Sequence, residues 1–141
     1  MSRPAQTLAL ALRNDASALD AAREEIRRHL ERHGVDDTAV YAVDLVLEEL
    51  AGNTIRYGYA KGAQGAIQIE LAVGARNVRL TIQDDARPFD PTCHPEPKPA
   101  RSVRESPVGG RGIAMVRRYA RAMRYRRERG ANSIEVEVAR G

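Results

Sequence analysis

A carboxylate and a carboxamide stand four residues apart at Glu49 and Asn53, within the run Glu49-Leu50-Ala51-Gly52-Asn53. The surrounding pattern reads as helix, where residues i and i+4 share one face, a turn apart. Asn is a poor interior helix former, and Glu rarely faces a core unpaired. In isolation the pair would be two solvated polar side chains. Beside a phosphate ester they could do chemistry. An amide oxygen is a hard ligand suited to Mg²⁺, and a carboxylate one turn away could take a proton from an attacking hydroxyl or water. Glu48 points about 100° away from Glu49 on such a helix and is not given the base role.

Two further features follow in order. Val78, Leu80 and Ile82 alternate, and Asp84 continues their parity to the strand's end. A carboxylate on the core side needs a partner or a ligand, and it could accept a hydrogen bond from an exocyclic amine such as adenine's. Then Gly109, Gly110 and Gly112 open a helical pattern carrying Ile113, Met115, Val116, Tyr119, Ala120 and Met123. Glycines let backbone approach a phosphate closely, and the first amides of a helix are free donors at its positive end. The spacing fits neither the G-x-x-x-x-G-K-[ST] phosphate loop nor G-x-G-x-x-G. Cys93-His94 is too small a set to argue for a metal.

These residues need elements to hold them. Leu8, Leu10 and Leu12 predict a strand over 6–12. Leu19, Ala22, Ile26 and Leu30 predict a helix ended by His33-Gly34. Asp36-Asp37-Thr38 offers an N-cap for a second helix running to about Tyr57. Ile67, Ile69, Leu71 and Val73, then the turn 74–77, then 78–84 make an antiparallel hairpin. A last hairpin takes residues 123–128 and 132–139 around the turn Arg129-Gly130-Ala131-Asn132. Residues 87–108 hold six of the chain's seven prolines, a composition hostile to helix and ladder, and read as a lid, since long loops in compact domains are often functional.

The 141 residues suit one domain, with a core made aliphatic by the absence of Trp and the single Phe. No apolar run approaches the roughly 20 residues of a membrane span. The start of the chain lacks a signal-peptide pattern, and the one cysteine, Cys93, cannot pair internally. These favour a reducing, cytoplasmic setting. The net charge of +4 comes from arginines gathered at Arg111, Arg117, Arg118, Arg121, Arg124, Arg126, Arg127 and Arg129. They read as a solvated helix face rather than a nucleic-acid surface, because no aromatic interleaving accompanies them.

The order E-x-x-x-N, then Asp84-Asp85-Ala86-Arg87-Pro88-Phe89-Asp90-Pro91, then Gly109-Gly110-Arg111-Gly112 before a hydrophobic helix resembles the N, G1 and G2 boxes of the GHKL ATPases. Within them the chain is most similar to the anti-sigma serine/threonine kinases of the RsbW kind, over about residues 38–138. The resemblance implies an α+β two-layer sandwich, the Bergerat ATP-binding fold, with helices on one face of a mixed sheet and ATP or ADP under the lid. It implies Glu49 as catalytic base, Asn53 as Mg²⁺ ligand and Asp84 as the adenine partner. It places Gly109, Gly110, Arg111 and Gly112 at the phosphates, with Ala86, Pro88 and Ser133 beside the nucleotide. Arg101 and Arg104 could reach the γ-phosphate from the lid. Tyr57 stands where many members have His. The implied activity is phosphorylation of an anti-anti-sigma (STAS-domain) protein and sequestration of a sigma factor by a homodimer. A non-catalytic nucleotide-gated switch on the same fold is the alternative. One position departs from the pattern: D-x-G is here Asp84-Asp85-Ala86. If that backbone requires positive φ, Ala costs on the order of 1 kcal/mol and disturbs the adenine site.

Overall fold

The computed structural model describes residues 6–93 and 110–141. Five strands form one sheet in the order β1-β2-β3-β5-β4: β1 Gln6–Arg13, β2 Ala66–Val73, β3 Asn77–Asp84, β4 Ala120–Glu128 and β5 Ala131–Ala139. Helices α1 (Ala16–Arg32), α2 (Asp37–Val46), α3 (Gly52–Tyr57) and α4 (Gly110–Tyr119) supply the second layer, α2 and α3 being joined by a π-helical turn at Leu47–Ala51. The two-layer α+β expectation holds.

Strict alternation explains why the helices cover one face. Ile67, Ile69, Leu71 and Val73 of β2, Val78, Leu80 and Ile82 of β3, and Ile134, Val136 and Val138 of β5 all point into a core shared with Ile26, Leu30, Val43, Val46, Leu47, Ile113 and Val116. Gln68, Glu70, Arg79 and Gln83 lie on the opposite, exposed face.

Every described strand pairing is antiparallel, which corrects the mixed sheet. A single crossover helix returns the chain to its starting end and makes a parallel neighbour. Here α1 and the α2–α3 rod cancel each other's travel, so β2 begins at Ala66 opposite Arg13, the last residue of β1. Between β3 and β4 the chain does return, and β4 starts opposite Val138 while β3 starts near it. The hairpin strand β5 then slots between them, opposed to both.

The helix ends follow local chemistry. The Asp15 carboxylate accepts from the Ala18 amide at 2.8 Å and Asp36 from Thr38 at 2.7 Å, each satisfying a free first-turn donor. Gly34 stops α1 in the left-handed region at φ 71°. The last helix is shorter than its apolar spacing suggested. Ala120 and Met123 belong to β4, where ladder bonds to β5 and the inward alternation of Met123 and Tyr125 outweigh the helical pattern. A bulge between Ala120 and Ala122 sets that parity. The arginine group is therefore divided between α4 and the edge strand β4, not laid along one helix face. Arg129 (φ 53°) and Gly130 (φ 77°) form a two-residue hairpin turn with both residues at positive φ, tighter than the four-residue turn expected. Asn132 is consequently a strand residue. Residues 94–108 of the expected lid, with Arg101 and Arg104, lie outside the described residues; Pro91–Cys93 before them make a single 3₁₀ turn. Among the described residues no helix is long and apolar enough to cross a membrane.

Candidate nucleotide site

A cavity of about 290 Å³ opens between the α3 end of the helical rod and the β3–β5 edge of the sheet. Its walls are Leu50, Ile113, Ile134 and the Ala86 methyl; Asp84 and Asn132 supply polar groups, and the exposed rings of Tyr57 and Phe89 stand at its side. Flat, apolar walls with a few convergent polar groups suit a heteroaromatic ligand.

Asp84 sits where its parity predicted, 7% exposed at the end of β3. Its Oδ1 accepts from the Ala86 amide at 3.1 Å and from Asn132 Nδ2 at 2.8 Å. Oδ2 is 3.4 Å from the Thr54 hydroxyl, whose shorter bond, 3.1 Å, goes to the Leu50 carbonyl. One hydroxyl proton cannot serve both, so Oδ2 keeps acceptor capacity toward the cavity. The neighbouring Asp85 does a different job. It accepts from the Tyr59 hydroxyl at 2.7 Å and the Ala66 amide at 3.3 Å. The Tyr59 bond holds the Asp85 carboxyl below its usual range, while burial and Asp85 push the Tyr59 phenol well up.

Ala86 answers the concern about glycine. Among the described residues Arg129 alone is a non-glycine at positive φ, so Ala86 carries no left-handed strain. Its methyl is buried against Gly58, where an added Cβ would come within 2.8 Å of it and 2.6 Å of the Thr54 carbonyl. The Arg87 amide also bonds the Gly58 carbonyl at 3.0 Å. The missing side chain at position 58 thus makes the room that Ala86 occupies.

Glu49 and Asn53 are placed by the π turn, in which the Gly52 amide reaches back to the Leu47 carbonyl as well as that of Glu49. Such turns recur at functional sites. Glu49 does not line the cavity. Its carboxylate lies directly on Gly112, where an added Cβ would overlap it. A carboxylate is thereby fixed at the opening turn of α4, whose amides and dipole favour an anion. Gly110 and Arg111 begin the same turn; Gly109 lies outside the described residues. Glu48 is engaged elsewhere, with Arg23 at 2.8 Å and Arg56 at 3.6 Å.

Asn53 lines the cavity, and its Oδ1 accepts from Arg56 Nη2 at 3.1 Å. This oxygen already faces a cation, in the form of a guanidinium, which fits an oxygen ligand for a metal. Among the described residues no group of three or more His, Cys, Asp or Glu side chains could hold a metal alone. A Mg²⁺ ion here would depend on Asn53 and on phosphate oxygens, its ordinary company.

Of the expected site residues, Asn53, Asp84, Ala86 and Pro88 meet in the cavity, and Glu49 meets Gly112 beside it. Ser133 does not join them. It pairs with Gln83 and Arg126 on the opposite parity to Asn132 and Ile134, hence on the sheet's outer face. Asn132 takes the inward place. The signal was present in the inward run Ile134, Val136, Val138, which extends by parity to Asn132 once the turn is two residues long. Thr54, one residue past Asn53, also went unassigned.

Residues 12–138 match the family model described as the histidine kinase-like ATPase domain. The chain is 30% identical over 94 residues to the serine/threonine-protein kinase BtrW of Bordetella bronchiseptica, covering 67% of this chain and 66% of that protein. It is similar in fold to the solved RsbU and RsbW domains of Rv1364c from Mycobacterium tuberculosis, with a TM-score of 0.66 at 19% identity, over 96% of this chain and 32% of that one. The family match runs from β1 to β5 and takes in Glu49, Asn53, Asp84 and Gly112: the chain belongs to the histidine kinase-like ATPase domain family.

Proposed function

We propose that this chain is an ATP-binding anti-sigma factor and protein serine/threonine kinase, acting in the cytoplasm on a STAS-type anti-anti-sigma protein and sequestering a sigma factor as a homodimer. The observation that carries the reading is the convergence of Glu49 onto Gly112 at the head of α4, next to a cavity floored by Asp84 with a spare acceptor oxygen. The likeness to BtrW, named a serine/threonine-protein kinase, supports the kinase class.

In this reading Asp84 Oδ2 accepts from the 6-amino group of adenine, and Leu50, Ile113 and Ile134 flank the ring. The opening turn of α4 offers amides to the phosphates. Glu49 orients the acceptor hydroxyl of the partner and takes its proton as that oxygen bonds to the γ-phosphorus, while the bond from phosphorus to the β–γ bridging oxygen breaks and ADP leaves. Mg²⁺ held by Asn53 and the phosphates would neutralise charge on the transferring group. Incubating the purified chain with Mg·ATP and its STAS partner is expected to give phosphoserine or phosphothreonine on the partner by mass spectrometry, and Glu49→Gln to abolish it. No phosphoprotein, with nucleotide bound normally, would overturn the kinase reading.

One observation favours a second reading, a non-catalytic nucleotide-gated binding switch: Arg56 holds the oxygen that Asn53 would give to a metal. Nucleotide binding by calorimetry that changes partner affinity, without any phosphoprotein, would select it.

A further inference from the structure

Asp84, Asn132 and Arg127 form one row across three neighbouring strands. Asn132 of β5 stands directly opposite Asp84 of β3 on one side and Arg127 of β4 on the other. Its side chain is buried, 6% exposed, and every polar atom of it is used. Nδ2 donates its two hydrogens to Asp84 Oδ1 at 2.8 Å and the Arg87 carbonyl at 3.0 Å, and lies 3.3 Å from the Ala86 carbonyl. Oδ1 accepts from Arg127 Nη1 at 2.9 Å and from the Tyr125 hydroxyl. Arg127 Nη1 also reaches the Ala86 carbonyl at 3.1 Å.

Chemistry fixes which way this amide points. A guanidinium only donates and an ionised carboxylate only accepts. The group between them must accept at one end and donate at the other, so the oxygen faces Arg127 and the nitrogen faces Asp84. A carboxylate there would oppose Asp84, and an apolar residue would leave Arg127 and Asp84 Oδ1 each short of a partner. The amide also settles how Asp84 divides its two oxygens. With Oδ1 saturated by Asn132 and the Ala86 amide, Oδ2 is the oxygen left for the cavity.

We propose that Asn132, oriented by Arg127, is a positioning residue that holds Asp84 Oδ2 toward the bound base, and so sets the preference for a ligand bearing an exocyclic amine. This rests on the reading of Asp84 as the base acceptor. It also gives one member of the arginine group a place in the site rather than on a solvated face. Rigid support of a contacting group by hydrogen-bonded neighbours is how recognition sites keep their geometry.

The test compares ADP with purine riboside 5′-diphosphate, which lacks the 6-amino group, by calorimetry. The wild type is expected to prefer ADP. Asn132→Ala should lower the ratio of the two dissociation constants about tenfold, and Arg127→Met about threefold, as expected for loosening a buried hydrogen bond to a charged group. Both ligands weakening equally, with the ratio intact in both variants, would overturn the positioning role and leave Asn132 a packing residue. A wild type that binds neither ligand would overturn the nucleotide reading and this one with it. If Asn132→Ala does not fold, Arg127→Met decides, since Arg127 is exposed at the edge strand and only its tip enters the network.

Discussion

Single residues carry the site's tolerances, and Ala86 is the sharpest case. Its backbone lies outside the left-handed region and Gly58 makes space for its methyl. Ala86→Gly should therefore cost stability rather than restore it, by about 0.5–1 kcal/mol through extra freedom of the unfolded chain, read as a lower urea midpoint. Nucleotide affinity should change less than about twofold. The opposite intolerance belongs to Gly112. An alanine methyl there would overlap the Glu49 carboxylate, so Gly112→Ala must displace the group proposed as base. Phosphoryl transfer should fall about 10²-fold or more, the usual penalty for misplacing a reacting group by an ångström, while the melting temperature moves little. At this scale the sequence was informative wherever parity or helical spacing decides direction, as for Asp84, Glu49 and Asn53. Ser133 was expected beside the nucleotide by resemblance alone, and the alternation of Ile134, Val136 and Val138 into the core puts position 133 on the outer face.

Elements decide where those residues meet, and α1 shows how an element is tuned. His29, in its last turns, is buried, and its Nε2 has no partner among the described residues. Burial holds its pKa below the ordinary value of 6.5; a backbone bond with Gln6 opposes this, and His33 and Arg32 add to it. The folded state therefore binds the proton more weakly than the unfolded chain. The stability tied to neutral His29 is present above pH 6.5 and is lost as pH falls through its depressed folded value. Urea unfolding between pH 7.5 and 5 should show that decline, and His29→Leu should flatten it without loss near pH 7.5, because it also removes an orphaned polar atom. An unchanged slope in His29→Leu would assign the decline to other groups. Element type was legible in every case where a period of 2 or 3.6 runs unbroken. It failed at Ala120 and Met123, where Tyr119, Ala120 and Met123 suit a helix equally well and only the partner strand β5 settles the matter. The π turn left no periodic trace, since a single widened turn keeps Val46, Leu47 and Leu50 on the buried side.

At the scale of the molecule, one layer of helices lies over the sheet so that the loop after β3, the π turn and the head of α4 come together at one end. The boxes that announce the family are short, but their order along the chain is what the topology converts into one site. Strand direction was the part hidden from the sequence, because it depends on how many helices lie between two strands and whether their travel cancels. A site assembled from distant elements ties ligand binding to global stability. Nucleotide that binds only the folded chain should stabilise it by RT ln(1 + [L]/Kd), about 2.7 kcal/mol at a concentration of 100 Kd. Thermal melts in rising Mg·ADP should therefore shift upward logarithmically for the wild type. Asp84→Asn keeps the size of the side chain and can keep the bond from Asn132, yet turns an amide nitrogen toward the base if the oxygen stays with Asn132 and the Ala86 amide. It should lose most of the shift while its ligand-free melting temperature stays close to the wild type. Equal shifts in the two proteins would place the nucleotide away from Asp84 and end the assignment of this cavity to the base.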